Sequence, residues 1–467
     1  MDTQGDIQAL FELQRGHYIE IGTRSVSERK ADLKKLLNSI LKRREQLAEA
    51  LKVDLGKPYV QSITDDIHPV KDEIKNALKH LEQWSSIRKV SSPLPLTGIS
   101  GYIKPESKGL TLVIAPFNFP FNLCMGPLVS SIAAGNCCIV KPSEYTPETG
   151  KLIQEIIEEV FPPYHVKAVL GASDISVKLT SLPFHHIFFT GGIETGKKVM
   201  AAAAKHLTSV TLELGGKSPA IVDSSCKMKQ SVERIVWGKF LNSGQVCIAP
   251  DYALVEKSSL ASFISAANLT IARFYNKPLT SNSLSNIINE THFDRLVSLL
   301  EDAKSKGALI ETGGVYDRDT LRFAPTILTN VTMDMSVMQE EIFGPILPVM
   351  AWENEDDLLD LVYENHRPLA FYVFSERKQW TKELIRKTRA GTTGINECVV
   401  QFVHSKLPFG GINQSGIGKA HGKAGFDAFT NLRSVIKKRI KWNPTRLVMP
   451  PYSLKTRKIA QMALRWL

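Results

Sequence analysis

The sequence predicts an α/β fold built on parallel sheets with helices over both faces. Three observations carry this. Short, nearly continuous apolar runs recur at 110–115, 138–140, 166–170, 187–190 and 210–214. Helical periodicity fills the intervals, and strands buried on both faces read as unbroken apolar runs. Polar residues and glycines cluster directly after these runs, and such sheets bind ligands at the carboxyl ends of their strands.

The elements follow in order. Residues 25–85 read as helices: Ser25 and Glu28 form a capping-box pattern, with Leu33, Leu36, Leu37, Ile40 and Leu41 behind it at helical spacing. Residues 90–108 are proline-rich and read as extended chain with short strands that leave the main body. The strand–helix alternation then begins. Its best helix is 147–160, with Thr146 as N-cap, Pro147 in the first turn, and Leu152, Ile153, Ile156, Ile157 and Val160 on one face. A second alternating region runs from Lys217 to about residue 403. It has strands at 252–255, 324–328, 346–351 and 369–374 and a helix near 288–305. Residues 430–442 are strand-like and basic, and a short tail follows.

The chain has 467 residues, 43% of them hydrophobic, which is enough for a large core and two or three domains. The start, Met1-Asp-Thr-Gln-Gly-Asp, shows no secretory signal, and no apolar stretch approaches the roughly 20 residues that cross a bilayer. Cys124, Cys137, Cys138, Cys226, Cys247 and Cys398 show no metal spacing, so free thiols, a reducing compartment and a cytoplasmic location are expected, and no metal site. The net charge of +11 comes without an aromatic-interleaved basic stripe, so a nucleic-acid partner is not expected.

Two segments carry chemistry together: Glu213-Leu-Gly-Gly-Lys and Asn242-Ser-Gly-Gln-Val-Cys247. A cysteine forms a thio-adduct with a carbonyl carbon, and a carboxylate activates the water that clears it. Gly244 permits a tight turn that exposes the Cys247 thiol. For Glu213 the bland alternative is a salt bridge with Lys217 or another basic residue. Asn118, in Ala115-Pro-Phe-Asn-Phe-Pro, can donate to a developing oxyanion with the backbone N–H of Cys247; a turn-forming Asn is the alternative.

Lys141-Pro-Ser-Glu144 can reach ribose hydroxyls, and a carboxylate there favours NAD over a 2′-phosphate. Thr190-Gly191-Gly192-Ile-Glu-Thr-Gly196-Lys-Lys opens a helix suited to a pyrophosphate. It begins like a P-loop, but Lys198 replaces the Ser or Thr that holds Mg²⁺, which excludes a nucleotide triphosphatase. Glu341-Ile-Phe343-Gly-Pro joins a carboxylate to a ring able to hold a nicotinamide and its ribose, or is a plain loop. The glycine-rich stretch 406–418 suits a tunnel wall with Phe402 and Phe409, or a purely structural loop.

In this order, these segments resemble the aldehyde dehydrogenase superfamily over nearly the whole chain. Trp237-Gly-Lys-Phe, Cys247-Ile-Ala-Pro-Asp-Tyr252 and His421-Gly-Lys-Ala-Gly-Phe-Asp-Ala-Phe429 look most like its class 3 branch of fatty and aromatic aldehyde dehydrogenases. The resemblance implies a Rossmann-like cofactor domain, a related catalytic domain and a small bridging sheet for oligomerisation. Mapped onto this chain, these are 1–89 and 109–211 with part of 404–430, then 212–403, then 90–108 and 431–447, with 448–467 as tail. It further implies that Cys247 attacks the aldehyde, Asn118 stabilises the oxyanion and Glu213 activates water. Pro116, Lys141, Glu144, Thr190, Gly191, Gly192, Gly196, Leu214, Glu341 and Phe343 would hold the cofactor. NAD ranks first; NADP stays open because class 3 enzymes with the Glu144 carboxylate accept it.

Gly192 is a departure, since relatives often carry Ser or Asn there. The resemblance suggests a homodimer, and Phe117, Phe119, Phe121 and Phe402 suggest an apolar tunnel for medium-chain, long-chain or aromatic aldehydes. Acyl transfer to coenzyme A and a catalytically silent structural role are the competing functions. In the tail, Ile459, Met462, Ala463 and Trp466 share a face among Lys455, Arg457, Lys458 and Arg465. That pattern suits contact with an anionic membrane surface or packing against protein.

Overall fold

The computed structural model describes residues 4–365, 367–439, 446, 447 and 449–466. It opens with a helix at Gln4–Thr23 that the polar N-terminal sequence does not announce. Helices Val26–Lys42, Arg44–Leu55 and His68–Ser85 follow, the last two linked through a short π-helical turn at Ser62–Ile67. Ser25 and Glu28 make both halves of the capping box, and Leu33, Leu36 and Ile40 are fully buried.

A three-stranded antiparallel sheet stands apart from the two large ones. It contains β1 (Arg88–Val90), β2 (Ile99–Ser107) and the late strand Thr430–Lys438, with β2 in the middle. The register from Thr430↔Ser107 to Lys438↔Ile99 ties residues far apart in sequence into one ribbon. The expected strand continued to Trp442, but residues 440–445 lie outside those described.

The first large sheet contains β3 (Leu110–Ile114), β4 (Cys137–Lys141), β5 (Val166–Ala168), β6 (His186–Thr190) and β7 (Ser209–Glu213). They are parallel, in the order β7-β6-β3-β4-β5, and Gly416–Ile417 pairs antiparallel outside β7. Every residue of β3, β4 and β6 is buried, because helices cover both faces. Chain order reverses between β3 and β6, which opens a crevice beyond their carboxyl ends. β7 runs across the expected boundary at 211–212.

The second large sheet has seven strands. From one edge they are Leu309–Thr312, Thr326–Thr329, Ile346–Trp352, β9 (Tyr252–Glu256), β8 (Pro219–Val222), Ala370–Phe374 and Thr392–Ile395. Only the first pair is antiparallel. β8 starts just after the turn that ends β7, so residues 214–218 connect the two sheets.

The helix Pro147–Val160 forms as its pattern implies, but Thr146 does not cap it. Asp54 does so from another helix, accepting the backbone N–H groups of Glu148 (3.1 Å) and Thr149 (2.8 Å). Asp54→Ala is expected to weaken this helix end by about 1–2 kcal/mol. Faster amide hydrogen exchange confined to residues 147–160 and their packing partners would show it.

The tail helix Leu454–Trp466 exposes Leu454, Met462 and Leu464, while Ile459 is half-buried. The side chains of Ala463, Arg465 and Trp466 fall outside those described. No described helix is long and apolar enough to cross a membrane.

Candidate active site

The site is assembled where the two large sheets meet. Glu213 ends β7, with its backbone between Thr190 of β6 and Gly416. Its carboxyl group is buried, and neither oxygen has a hydrogen-bond partner among the described residues. Burial pushes the group well above the usual carboxylate range, and the Lys419 ammonium draws it back in part. Lys217, the suspected salt-bridge partner, is committed elsewhere: its ammonium pairs with Asp251 at 2.5 Å and donates to the carbonyls of Val337 and Glu340. Gly410 keeps space open beside Glu213, since a Cβ there would lie 2.8 Å from Oε1.

Cys247 follows a strained turn. Asn242, Ser243 and Gly244 all take positive φ, at 48°, 53° and 76°. A side chain at residue 244 would meet the Gly344 carbonyl at 2.2 Å, so this position demands glycine twice over. The thiol is pushed up by burial, then by the Glu341 and Glu213 carboxylates, while the N–H groups of Cys247 and Ile248 point at it and oppose the shift. It is a neutral thiol in this state. Among the six free cysteines, Cys247 and Cys226 are half-buried and the other four are buried.

Asn118 lies one segment beyond β3. Its side-chain amide donates to the Gln245 carbonyl at 2.9 Å, placing it two residues before the thiol. Its own carbonyl accepts from Asn242 Nδ2 (2.9 Å) and Lys57 Nζ (3.0 Å). Lys57 is fully buried, pairs with Asp66 at 2.6 Å and sits 4.3 Å from the Phe119 ring centroid. This buried pair pins the Asn118 loop. Sequence reading missed it, because a charge in the loop after one helix and a charge in the next helical turn carry no signal until the fold removes both from water.

A narrow cavity of about 50 Å³ is shared by the two residues the sequence pairs. Glu213 and Cys247 face it alongside Leu123, Pro127, Phe402 and Phe409. The expected tunnel is corrected in part. Phe402 is in the wall, but Phe121 is fully buried in the core. Phe119 lies against Lys57, and Phe117 packs on Tyr145, His292 and Phe343. Alternate residues in this tight segment point to different neighbours, so one aromatic run cannot line one channel.

Most of the expected cofactor residues lie at or after the carboxyl ends of strands of the first sheet, while Glu341 and Phe343 come from the loop before Ile346–Trp352 of the second. Lys141 ends β4, almost fully buried, and pairs with the half-buried Glu144 at 2.6 Å. Pro116 and Phe343 are half-buried, and Phe343 holds a positive φ of 46°. Thr190 ends β6, and Gly191 donates to the Glu213 carbonyl. Gly192 is the N-cap of helix Ile193–Ala204, where no side chain caps the free N–H groups. Gly196 touches Leu214 so closely that a Cβ would fall 2.6 Å from it.

Gly192, Gly215, Gly216 and Glu341 line one open cleft of about 640 Å³ with Lys197, Arg367 and Ser415. The Glu341 carboxyl lies over the Gly215-Gly216 backbone, and burial lifts it to about 8. An uncapped helix N-terminus, glycines that let backbone approach a ligand, and carboxylates for hydroxyls form a donor set that fits a dinucleotide.

Gly192 faces open space, with nothing within 4 Å of an added Cβ. Gly192→Ser should therefore fold normally and add one hydroxyl donor at the anion site. A two- to fivefold fall in cofactor KM, on the order of 0.5–1 kcal/mol for one added hydrogen bond, is the expected result. Titration of the initial rate against cofactor measures it.

Comparison with known proteins agrees with this architecture. The family model described as "Aldehyde dehydrogenase family" matches residues 2–435. The 4,4'-diaponeurosporen-aldehyde dehydrogenase of Staphylococcus aureus is 40% identical over 97% of this chain and 97% of its own. Aldehyde dehydrogenase family 3 member H1 of Arabidopsis thaliana is 39% identical over 92% and 89%. Betaine aldehyde dehydrogenase of Staphylococcus aureus, solved in complex with NAD+, superposes with a TM-score of 0.87 at 28% identity, covering 94% of this chain and 89% of that one. With a family model over almost the whole length and a class 3 relative matched nearly end to end, this chain belongs to the aldehyde dehydrogenase family, in its class 3 branch, and is an oxidoreductase.

Proposed function

We propose that this enzyme oxidises medium- or long-chain aliphatic or aromatic aldehydes to carboxylic acids with NAD, and with NADP as a second cofactor. The observation that carries this reading is that the Cys247 thiol and the unpartnered Glu213 carboxyl face one largely apolar cavity. The Cys247 thiol yields its proton to water in the cavity as its sulfur attacks the aldehyde carbon. The Asn118 amide, bonded to the Gln245 carbonyl two residues before the thiol, and the Cys247 N–H stabilise the oxyanion. A bound nicotinamide dinucleotide supplies hydride acceptance. Lys141 and Glu144 would hold one ribose, the Gly192 helix terminus the pyrophosphate, and Glu341 and Phe343 the nicotinamide end. Collapse of the thiohemiacetal leaves a thioester on Cys247, and Glu213 as carboxylate takes a proton from the water that hydrolyses it.

Apolar substrates are supported by Leu123, Pro127, Phe402 and Phe409 in the cavity wall, and a relative is named for 4,4'-diaponeurosporen-aldehyde. A homodimer is supported by the outer strand Thr430–Lys438, which exposes Leu432 and Ile436 at the edge of a separate three-stranded sheet. A cytoplasmic setting is in keeping with six unpaired cysteines.

The test is absorbance at 340 nm with decanal, hexanal or benzaldehyde and either cofactor. Steady reduction with NAD faster than with NADP is expected. No reduction with any of the three aldehydes, by folded protein, would sink the substrate assignment.

A further inference from the structure

The hydrolytic step leaves a proton on Glu213, and the surroundings of Glu213 offer it no direct exit. Neither carboxyl oxygen meets a donor or acceptor among the described residues. Lys419 contributes charge, but its ammonium is engaged by the carbonyls of Gly410 and Gly411. Glu213 shares a cavity with Cys247, and that cavity has a second buried carboxyl group.

Glu73, on helix His68–Ser85, lines the same space and is only 9% exposed. Its Oε1 accepts the backbone N–H of Gly422. Its Oε2 accepts no hydrogen bond from any described residue, and the side chain lines the cavity. Ser130, whose hydroxyl both donates and accepts, lies on the same wall. A volume of about 50 Å³ has room for water, since one molecule needs at least roughly 10–15 Å³. Asp72, next in sequence to Glu73, also lines the cavity and is partly exposed, so the route reaches the surface there.

We propose that Glu73 is the proton outlet of this site: it receives through cavity water the proton that Glu213 takes from the hydrolytic water, and releases it to solvent beside Asp72. This rests on the thioester reading above.

The step balances without any oxidant or further reactant. Water adds its oxygen to the acyl carbon and gives one proton to Glu213. The C–S bond breaks with its electron pair left on Cys247 Sγ, and the other water proton departs on the carboxylic acid. The Glu213 proton moves along the water file to Glu73 Oε2 and then to bulk, and both groups return to carboxylates.

Burial raises Glu73 to about 7. Glu213 is raised more strongly and holds its proton tighter, so the transfer to Glu73 runs uphill, and release from Glu73 to bulk water near neutral pH draws it on. The titratable groups around Glu73 are Asp72 on its own helix, His421 beside Gly422, and Glu213 and Cys247 across the cavity. His421 does not serve, because burial lowers it to about 4 among the rings of Phe402 and Phe409.

Glu73→Gln separates a proton role from a structural one, since the amide oxygen still accepts from Gly422. With decanal and NAD, rapid-quench single turnovers follow formation and decay of the acyl-enzyme. We expect formation at the parent rate and decay slowed at least about tenfold, with slow decay accelerated by added formate or imidazole in the variant but not in the parent. Decay at the parent rate overturns the proposal. Equal slowing of formation and decay, indifferent to buffer, also overturns it and leaves Glu73 as an anchor for the Gly422 loop. If the parent forms no acyl-enzyme at all, the thioester reading itself fails, and this route with it. Should the variant not fold, decay in the parent is measured across H2O–D2O mixtures. A bowed dependence marks transfer of several protons along a file, and a straight line overturns the file.

Discussion

Glu213→Gln is expected to allow the first turnover and stop the second. The amide has nearly the shape of the carboxyl, so Cys247 still meets the aldehyde in the same cavity. Reduced cofactor should appear as a burst of about one equivalent per active site. Thioester hydrolysis then loses its general base, and the steady rate should fall by roughly 10²–10⁴-fold. A steady rate close to that of the parent would reject the role of Glu213. The parent enzyme should also show a deacylation rate that rises with pH. The base is the carboxylate form, and burial holds the group well above its ordinary value of 4.5, so the carboxylate accumulates only as pH climbs through that raised range. A rate that fell with rising pH across the neutral range would contradict this.

Cys247→Ala should remove the burst as well as the steady rate, by at least about 10⁴-fold, the scale on which loss of a covalent nucleophile is felt. Alkylation gives an independent reading. Cys247 and Cys226 are the half-buried thiols and the remaining four are buried, so iodoacetamide should reach these two first. Inactivation should track modification of Cys247 and quicken as pH rises, because burial and two carboxylates hold the thiol above its ordinary value. Full activity after stoichiometric labelling of Cys247, shown by peptide mass, would exclude it as the nucleophile.

These expectations show how far local sequence reaches. The pairing of Glu213 with Cys247 was legible because each sits in a short segment with its own physical logic: an apolar strand ending in a carboxylate, and a glycine turn exposing a thiol. The five strands of the first sheet were legible for the same reason, since burial on both faces leaves a continuous apolar run. Thr146 misled because an N-cap needs only a nearby acceptor, and Asp54 on another helix supplies a better one. The aromatic run at 117–121 misled because composition carries no direction.

The sequence by itself determined the α/β class, the five strands of the first sheet, the family and the proposed reacting pair. All of these are written in periodicity or in motifs a few residues long. Tertiary structure alone decided what surrounds that pair. It buried Lys57 against Asp66 to hold the Asn118 loop, sent Lys217 to Asp251 and away from Glu213, and turned Glu73 from a helix into the cavity of Glu213. The physical reason is that burial and charge pairing join residues tens to hundreds of positions apart. Their free energies depend on which groups the fold removes from water together, and no local pattern contains that information.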